Sequence, residues 1–304
     1  MTLPYGFRLL CLCAAAFFIT QLAVAALISI TTRLALHRLA HVQARSGARF
    51  VLVLRLLPAT TAGFAVLGLC APSYLLLEPG ETAEQIGIGC VTAALLGALV
   101  CVSGLVRGCI RAARTQAYLR RYRDCGTPMF LLVGVLHPRI LVSPAIQEAL
   151  TPAEFGAAVR HEEAHGRSRD NLKRLLITIT PDVLPFTHGF RRLDSAWRTL
   201  TEWAADDEVA LASPQCALDL ASALVRVSRM HAKILLPPLS TALLADMDEL
   251  STRVERLIGN TPVAKPIPAI GSAAACACAV ASAVISAQPA ALHNVHRLLE
   301  ILAH

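Results

Sequence analysis

Four long apolar runs restrict the folds open to this chain more than any other feature. They cover residues 9–30, 50–77, 86–106 and 267–287, and each is long enough to cross the hydrocarbon core of a bilayer as a helix. Only 16 % of the residues are charged, whereas a soluble domain usually carries about a quarter. The first run lacks a small-x-small cleavage site, which favours a retained helix over a cleaved signal peptide. We therefore predict a mainly α, polytopic membrane protein with about four transmembrane helices.

The charges that flank these runs predict their orientation. Basic residues follow the first run (Arg33, Arg38, Arg45 and Arg49) and the third run (Arg107, Arg111, Arg114, Arg120, Arg121 and Arg123). The loop after the second run carries Glu78, Glu81 and Glu84 instead. By the positive-inside rule, both termini lie outside the cell's inner (cytoplasmic) membrane and the region after the third run is cytoplasmic. The basic residues that follow the third run are expected to contact membrane lipid and no nucleic acid, because aromatic residues are nearly absent among them.

The region between the third and fourth runs has the composition of a globular domain. Acidic and basic residues are nearly balanced there, and the length suffices to bury a core. Two β-prone runs, 129–136 and 140–143, predict two short strands joined by a turn. The predicted organisation is a three-helix transmembrane region (1–106), a cytosolic α+β domain (107–262), and a fourth transmembrane helix with a short outer tail (263–304). Most of the ten cysteines lie in apolar runs, so we expect no disulfide framework.

A His-Glu-x-x-His sequence at 161–165 lies within a predicted helix of this domain. Thr151 is a suitable N-cap, Pro152 fits the first helical position, and Glu154 completes a capping box. Four residues apart on a helix, His161 and His165 share one face and can reach the same metal ion. Glu162 lies one residue round the helix, where it can hold a water molecule without ligating the metal. The alternative is a surface helix with two solvated histidines.

A second acidic helix offers the remaining ligand that a catalytic zinc ion needs. Zinc in such sites has three protein ligands and an open position, and Glu202 in "TLTEWAADDEVALA" is the candidate third ligand. Asp206, one turn later, can accept a hydrogen bond from the far nitrogen of a ligating histidine. The alternative is a solvated acidic helix face. We expect Asp170 to cap a helix or to pair with Arg167 or Arg174.

These elements together resemble the BlaR/MecR antirepressor family of membrane zinc metallopeptidases, which is related to the heat-shock and prenyl-protein membrane peptidases. The family pattern is a His-Glu-x-x-His helix, an arginine-rich turn with Asp, and Glu-x-x-Ala-Asp; here the last two are matched by Asp170 and by residues 202–206. The resemblance covers roughly residues 1–290. It implies a zincin-like fold for residues 107–262, His161, His165 and Glu202 as zinc ligands, and Glu162 as general base and acid.

The function expected from the sequence is that of a zinc-dependent metalloendopeptidase acting on a cytoplasmic protein. The resemblance implies regulatory proteolysis in signal transduction, with a transcriptional repressor as the substrate. The β-lactam sensors of that family carry a penicillin-binding domain after the last span, which this sequence lacks, so we expect no direct β-lactam sensing. Two alternatives are a membrane quality-control protease and a non-catalytic membrane adaptor with a structural metal site. The presence of Glu162 argues against the adaptor, because a structural zinc ion needs no general base.

Overall fold

Three long apolar helices dominate a computed structural model of the chain. The structure describes residues 4–39, 42–78, 86–122, 130–184, 188–230, 240–242, 250–259 and 289–303. The long helices are α1 (Tyr5–Arg38), α2 (Ala44–Ala65), which continues through a π-helical turn (Val66–Cys70) into α3 (Ala71–Leu77), and α4 (Ile88–Tyr122). Each of the three continuous helical stretches is long and apolar enough to cross a membrane. The prediction of a mainly helical chain with apolar helices of membrane-spanning length is thus confirmed for three helices. The fourth predicted span (267–287) lies outside the described residues.

The third membrane helix continues without a break into the predicted domain. α4 runs to Tyr122, so the expected boundary at residue 107 falls inside one helix. No proline interrupts the sequence there, and the arginines that follow the apolar part are good helix formers. α4 also packs closely on α1, because a Cβ atom at Gly97 would lie 2.8 Å from the carbonyl oxygen of Ala14.

The rest of the described chain is helical apart from a small sheet. Both predicted strands are present: β1 (Phe130–Val133) pairs antiparallel with β2 (Arg139–Val142). β3 (Ser240–Ala242), which the sequence did not predict, pairs antiparallel with the other edge of β1. The helices are α5 (Pro144–Ala149), α6 (Pro152–Ser168), α7 (Asp170–Ile179), α8 (His188–Ala210), α9 (Pro214–Met230), α10 (Leu250–Ile258) and α11 (Pro289–Ala303).

Helix α8 takes part in two hydrophobic cores. Near its start, Leu193 and Trp197 pack against α1 and α2. Near its end, Val209 joins a second core formed by α6, α9, α10 and β1. An ion pair between Arg55 and Asp194, 2.8 Å from Nε to Oδ1, fixes α8 to the second span. The membrane helices and the remaining helices are therefore packed together along α8.

The last described helix lies at the other end of the second span. The Ser73 hydroxyl donates a hydrogen bond to the Leu292 carbonyl oxygen (2.8 Å), and His296 Nε2 lies 3.3 Å from Glu78. Glu78 also pairs with the buried Arg8 of α1. Glu78 marks the end of the second span, whereas Arg45 marks its start. Helix α11 therefore packs at the end of this span that is opposite to Arg45.

Candidate metal centre

Helix α6 carries the His-Glu-x-x-His sequence, and its start is fixed as the sequence predicts. The Thr151 hydroxyl accepts a hydrogen bond from the Glu154 backbone N–H (3.3 Å), and the Glu154 carboxylate accepts one from the Thr151 N–H (2.8 Å). Arg226 of α9 binds the same carboxylate at 2.8 Å. About two and three turns further on, His161 and His165 are both 0 % exposed. These histidines therefore do not lie on a solvated surface.

Three potential ligand atoms converge between α6 and α8. The two Nε2 atoms of His161 and His165 are 3.2 Å apart, and each lies 3.6 Å from an oxygen of Glu202. Metal–ligand bonds of about 2.0–2.2 Å at tetrahedral angles place ligand atoms roughly 3.3–3.6 Å apart. The two histidines approach different oxygens of the Glu202 carboxylate, and one ligand atom from each of the three residues lies within 4.8 Å of the others, so the three side chains could hold one ion. Among the described residues, these three are the set whose ligand atoms could hold a metal ion.

A buried carboxylate lies beside the far nitrogen of each histidine, hydrogen-bonded at His165 and within ion-pair distance at His161. His161 Nδ1 lies 3.0 Å from Asp206 Oδ1, and His165 Nδ1 lies 2.8 Å from Asp170 Oδ2. Carboxylates in these positions fix the tautomer and the ring orientation of metal-binding histidines. Because the two Nε2 atoms face each other at 3.2 Å, bare lone pairs on both of them would repel each other. A proton or a metal cation between them removes that repulsion.

The position of Asp170 differs from the sequence-based expectation. Asp170 pairs with Lys173 at 2.9 Å as well as with His165, whereas Arg167 pairs with Glu163 and Glu208. The turn between α6 and α7 makes this possible, because Arg169 adopts a left-handed conformation (φ 54°) that ends α6 and starts α7. Asp170 thereby points back at the helix that precedes it. A helical spacing rule cannot predict this contact, since it depends on one strained residue.

Arg253 of α10 completes the centre, and the sequence analysis did not identify it. Its guanidinium donates to both oxygens of Asp206, at 2.7 and 2.8 Å, and lies 3.2 Å from Glu202. It is 3 % exposed. A signal was present, because Leu250, Val254 and Leu257 form an apolar stripe at helical spacing and Arg253 falls within it. A charged residue in such a stripe indicates a buried partner.

Glu162 lies in the same buried region. Its side chain is 0 % exposed, and its charge contributes to raising the pKa of both His165 and Arg253. It is therefore electrostatically close to the proposed ligands, while the atoms that converge on one point come from His161, His165 and Glu202.

The electrostatics of the centre favour positive charge at the imidazoles. Burial lowers the pKa of His165, but the charge of Glu202 and the hydrogen bond to Asp170 outweigh burial and raise that pKa to about 10. Burial is likewise outweighed at His161, whose pKa is raised by Asp206 and Glu202. Burial raises the pKa of Asp206, but Arg253 and His161 lower it to about 2. A divalent cation would meet the same demand for positive charge.

No protein family, curated protein or solved structure matches the chain. The resemblance to the antirepressor peptidases thus rests on the short motifs at 161–170 and 202–206. The geometry of the metal-binding cluster is independent of that resemblance, because it follows from the distances between side chains on α6, α7, α8 and α10.

Proposed function

We propose that this chain is a membrane-bound zinc metalloendopeptidase that cleaves a cytoplasmic protein. The observation that carries the proposal is the convergence of His161 Nε2, His165 Nε2 and a Glu202 carboxylate in a buried centre. A structural zinc site is usually closed by four protein ligands, whereas a catalytic site keeps one position open. The three-ligand set, together with the buried Glu162, favours catalysis over a structural role.

Zinc is the metal that this donor set favours. Two imidazoles and one carboxylate form a ligand set of the kind that catalytic zinc ions use. Magnesium and calcium prefer oxygen ligands, and the described cluster contains a single carboxylate ligand beside two imidazole nitrogens. The carboxylates of Asp170 and Asp206 would hold the histidines in the tautomer that presents Nε2 to the ion.

The proposed reaction is hydrolysis of a peptide bond. When bound, zinc supplies Lewis acidity that acidifies a water molecule and polarises a carbonyl group. Glu162 accepts the proton that the water loses and delivers it to the departing amine. Its burial keeps this carboxylate out of bulk solvent, and its charge interacts with the buried guanidinium of Arg253. Arg253 and Asp206 keep His161 and Glu202 in position during this exchange.

The small sheet is the proposed site for an extended substrate. β1 lies against α6, since a Cβ atom at Gly166 would lie 3.8 Å from Leu132, and Asn171 donates to the carbonyl oxygens of Leu132 and Gly134 at 3.1 and 3.0 Å. β1 is paired on both sides, so it cannot itself receive another strand. Within the part of the chain that the structure describes, the outer edge of β2 has no strand beside it. We propose that an extended substrate adds to this edge as a further strand. The sheet would then be the substrate-binding part of a zincin-like α+β domain.

The cellular role that we propose is regulatory proteolysis on the cytoplasmic side of the inner membrane. The arginines around the start of α2 and along the second half of α4 support this orientation of the domain. The motif resemblance to antirepressor peptidases suggests a transcriptional repressor as the substrate.

Glu162→Gln tests the proposal, because it removes the base and keeps the size of the side chain. The full chain and the variant are expressed in a bacterium, and new protein N-termini are compared between the two cultures. We expect new N-termini in the wild-type culture whose abundance is at least about 100-fold lower in the variant culture. Purified wild type and variant should both contain one equivalent of zinc. Equal cleavage in the two cultures, or none that depends on Glu162, would refute the peptidase. A few cleaved proteins would indicate regulation, whereas many would indicate quality control.

A further inference from the structure

A basic cleft opens beside the metal centre, between α2, α6, α7 and α8. Its lining combines three basic side chains with an apolar wall (Arg45, Arg49, Lys173, Ala48, Leu52 and Trp197). The cleft lies at the start of α2, where the second apolar stretch begins. It is separate from the proposed zinc ligands, none of which lines it.

We propose that this cleft binds the phosphate group of an anionic phospholipid. Arg49 is exposed, and within the described ranges no acidic side chain pairs with it. Arg45 pairs with Glu208 at the mouth of the cleft. Lys173 donates to Ser168 Oγ at 2.7 Å and to Asp170 at 2.9 Å. An ammonium group has three donors, so one N–H of Lys173 remains for a ligand.

The charge of the cleft favours an anion. The one carboxylate in its lining, Asp170, is already bound by His165 and by Lys173. Lys173 and His165 balance Asp170, and Glu208 balances Arg45, so Arg49 supplies the uncompensated positive charge of the cleft. A phosphate group offers several strong acceptors, and an arginine guanidinium can bind two of them side by side.

The apolar wall favours a lipid over a free phosphate ion. Leu52 follows Arg49 by one helical turn towards the apolar part of α2, and Trp197 of α8 faces the same space. Further along α2, the side chains of Val53 and Phe64 are exposed on the helix surface. A phosphodiester bound at Arg49 would therefore have its acyl chains alongside an apolar helix face. An inorganic phosphate ion would leave this wall without a partner.

Lys173 connects the cleft to the centre. Its ammonium group binds one oxygen of Asp170, and the other oxygen of Asp170 binds His165 Nδ1. A phosphate on Lys173 would be two side chains away from a proposed zinc ligand. Lipid binding nevertheless requires neither zinc nor peptidase activity, so it can be tested whether or not the proposed function holds.

Native mass spectrometry of the detergent-purified full chain tests the inference directly. Phosphatidylglycerol, zwitterionic phosphatidylcholine and inorganic phosphate are titrated separately, and the affinities are compared among wild type, Arg49→Gln, Lys173→Gln and Arg229→Gln. Arg229 is an exposed basic residue of α9 outside the cleft and outside the basic run of α4, and it serves as the matched control. We expect one tight phosphatidylglycerol site whose affinity falls about fivefold with each cleft substitution and is unchanged in Arg229→Gln.

Three outcomes would overturn the assignment. The first is wild-type affinity in both cleft variants, and the second is an equal loss in Arg229→Gln, because either would indicate general attraction to the basic surface. The third is binding of inorganic phosphate as tight as that of phosphatidylglycerol, which would make the free anion the occupant. Thermal unfolding of each variant establishes that it is folded, which is expected for Arg49→Gln because that side chain is exposed.

Discussion

Arg253 binds both carboxylate oxygens of Asp206, at 2.7 and 2.8 Å, and Asp206 in turn lies 3.0 Å from His161. The arginine thus supports a proposed zinc ligand through one intermediate residue. It also lies 3.2 Å from Glu202, a second proposed ligand. Because all four side chains are buried, removing any one of them leaves a charge or a polar group without its partner in a region of low dielectric.

Substitution of Arg253 by leucine is expected to destabilise the protein. Removing one partner of a buried ion pair costs about 3–5 kcal/mol, because the remaining charge stays buried. We expect Arg253→Leu to lower the unfolding temperature in detergent by a correspondingly large amount. Arg256→Leu is the control on the same helix, since Arg256 makes a more exposed pair with Asp207 and should cost about 1 kcal/mol or less. Similar unfolding temperatures for the two variants would contradict the buried network.

Loss of Asp170 is expected to weaken zinc binding. Carboxylates that hold metal-binding histidines typically contribute 10- to 100-fold to metal affinity, so Asp170→Ala should raise the zinc Kd by roughly that factor. Competition with a fluorescent zinc chelator measures the change. Asp207→Ala provides the control, because Asp207 pairs with Arg256 and not with a histidine. An unchanged Kd in Asp170→Ala would mean that His165 needs no support.

Zinc binding is expected to strengthen as the pH rises. Zinc requires neutral imidazoles, and in the metal-free protein the pKa of His165 is about 10 while that of His161 is also raised. At pH 7 the ion must therefore displace the proton of His165, and the zinc Kd should fall by about tenfold per pH unit for each proton released. Calorimetry in buffers of different ionisation enthalpy counts these protons. No proton release at pH 7 would show that both histidines are already neutral.

The metal-free protein is expected to lose stability as the pH rises from neutral towards 10. The pKa of His165 is higher in the folded state than its ordinary value of 6.5, so its contribution is fully present below about pH 6.5 and is lost as the pH passes through 10. Thermal unfolding of chelator-treated protein at several pH values measures this loss. The zinc-loaded protein should not show it, and equal profiles for the two forms would argue against ion binding at His165.

Residue 169 is expected to tolerate glycine better than valine. Arg169 has a φ of 54°, which glycine adopts at no steric cost and which β-branched residues strongly disfavour. Arg169→Gly should keep the wild-type zinc Kd, whereas Arg169→Val should shift Asp170 away from His165 and raise the Kd. The same chelator competition separates the two variants. Equal affinities would show that the turn does not control the position of Asp170.

The features that could be predicted from the sequence are those set by local or periodic patterns. Three of the four apolar runs form helices of membrane-spanning length, the fourth lying outside the described residues, and the Thr151–Glu154 capping box predicted the start of α6. β-prone composition predicted β1 and β2. The assignment of His161, His165, Glu162, Glu202 and Asp206 to a zinc centre stays a prediction that the geometry supports.

The features that escaped prediction depend on distant parts of the chain. β3 is three residues long and is recognisable as a strand by its pairing with β1. Asp170 reaches His165 through a left-handed residue that no propensity favours at arginine. Arg253 lies 47 residues from Asp206 along the chain, and only the charge within an apolar stripe hinted at its burial.

The double packing of α8 has a practical consequence for the study of residues 107–262 as a separate fragment. A fragment cut out at residues 107–262 would lose α1 and α2, and with them the cover over Phe190, Leu193 and Trp197. Such a fragment would expose an apolar surface on the helix that carries Glu202, and it would be prone to aggregate in solution. The membrane-spanning helices α1 and α2 thus support the helix that carries the proposed zinc ligand Glu202, in addition to anchoring the chain.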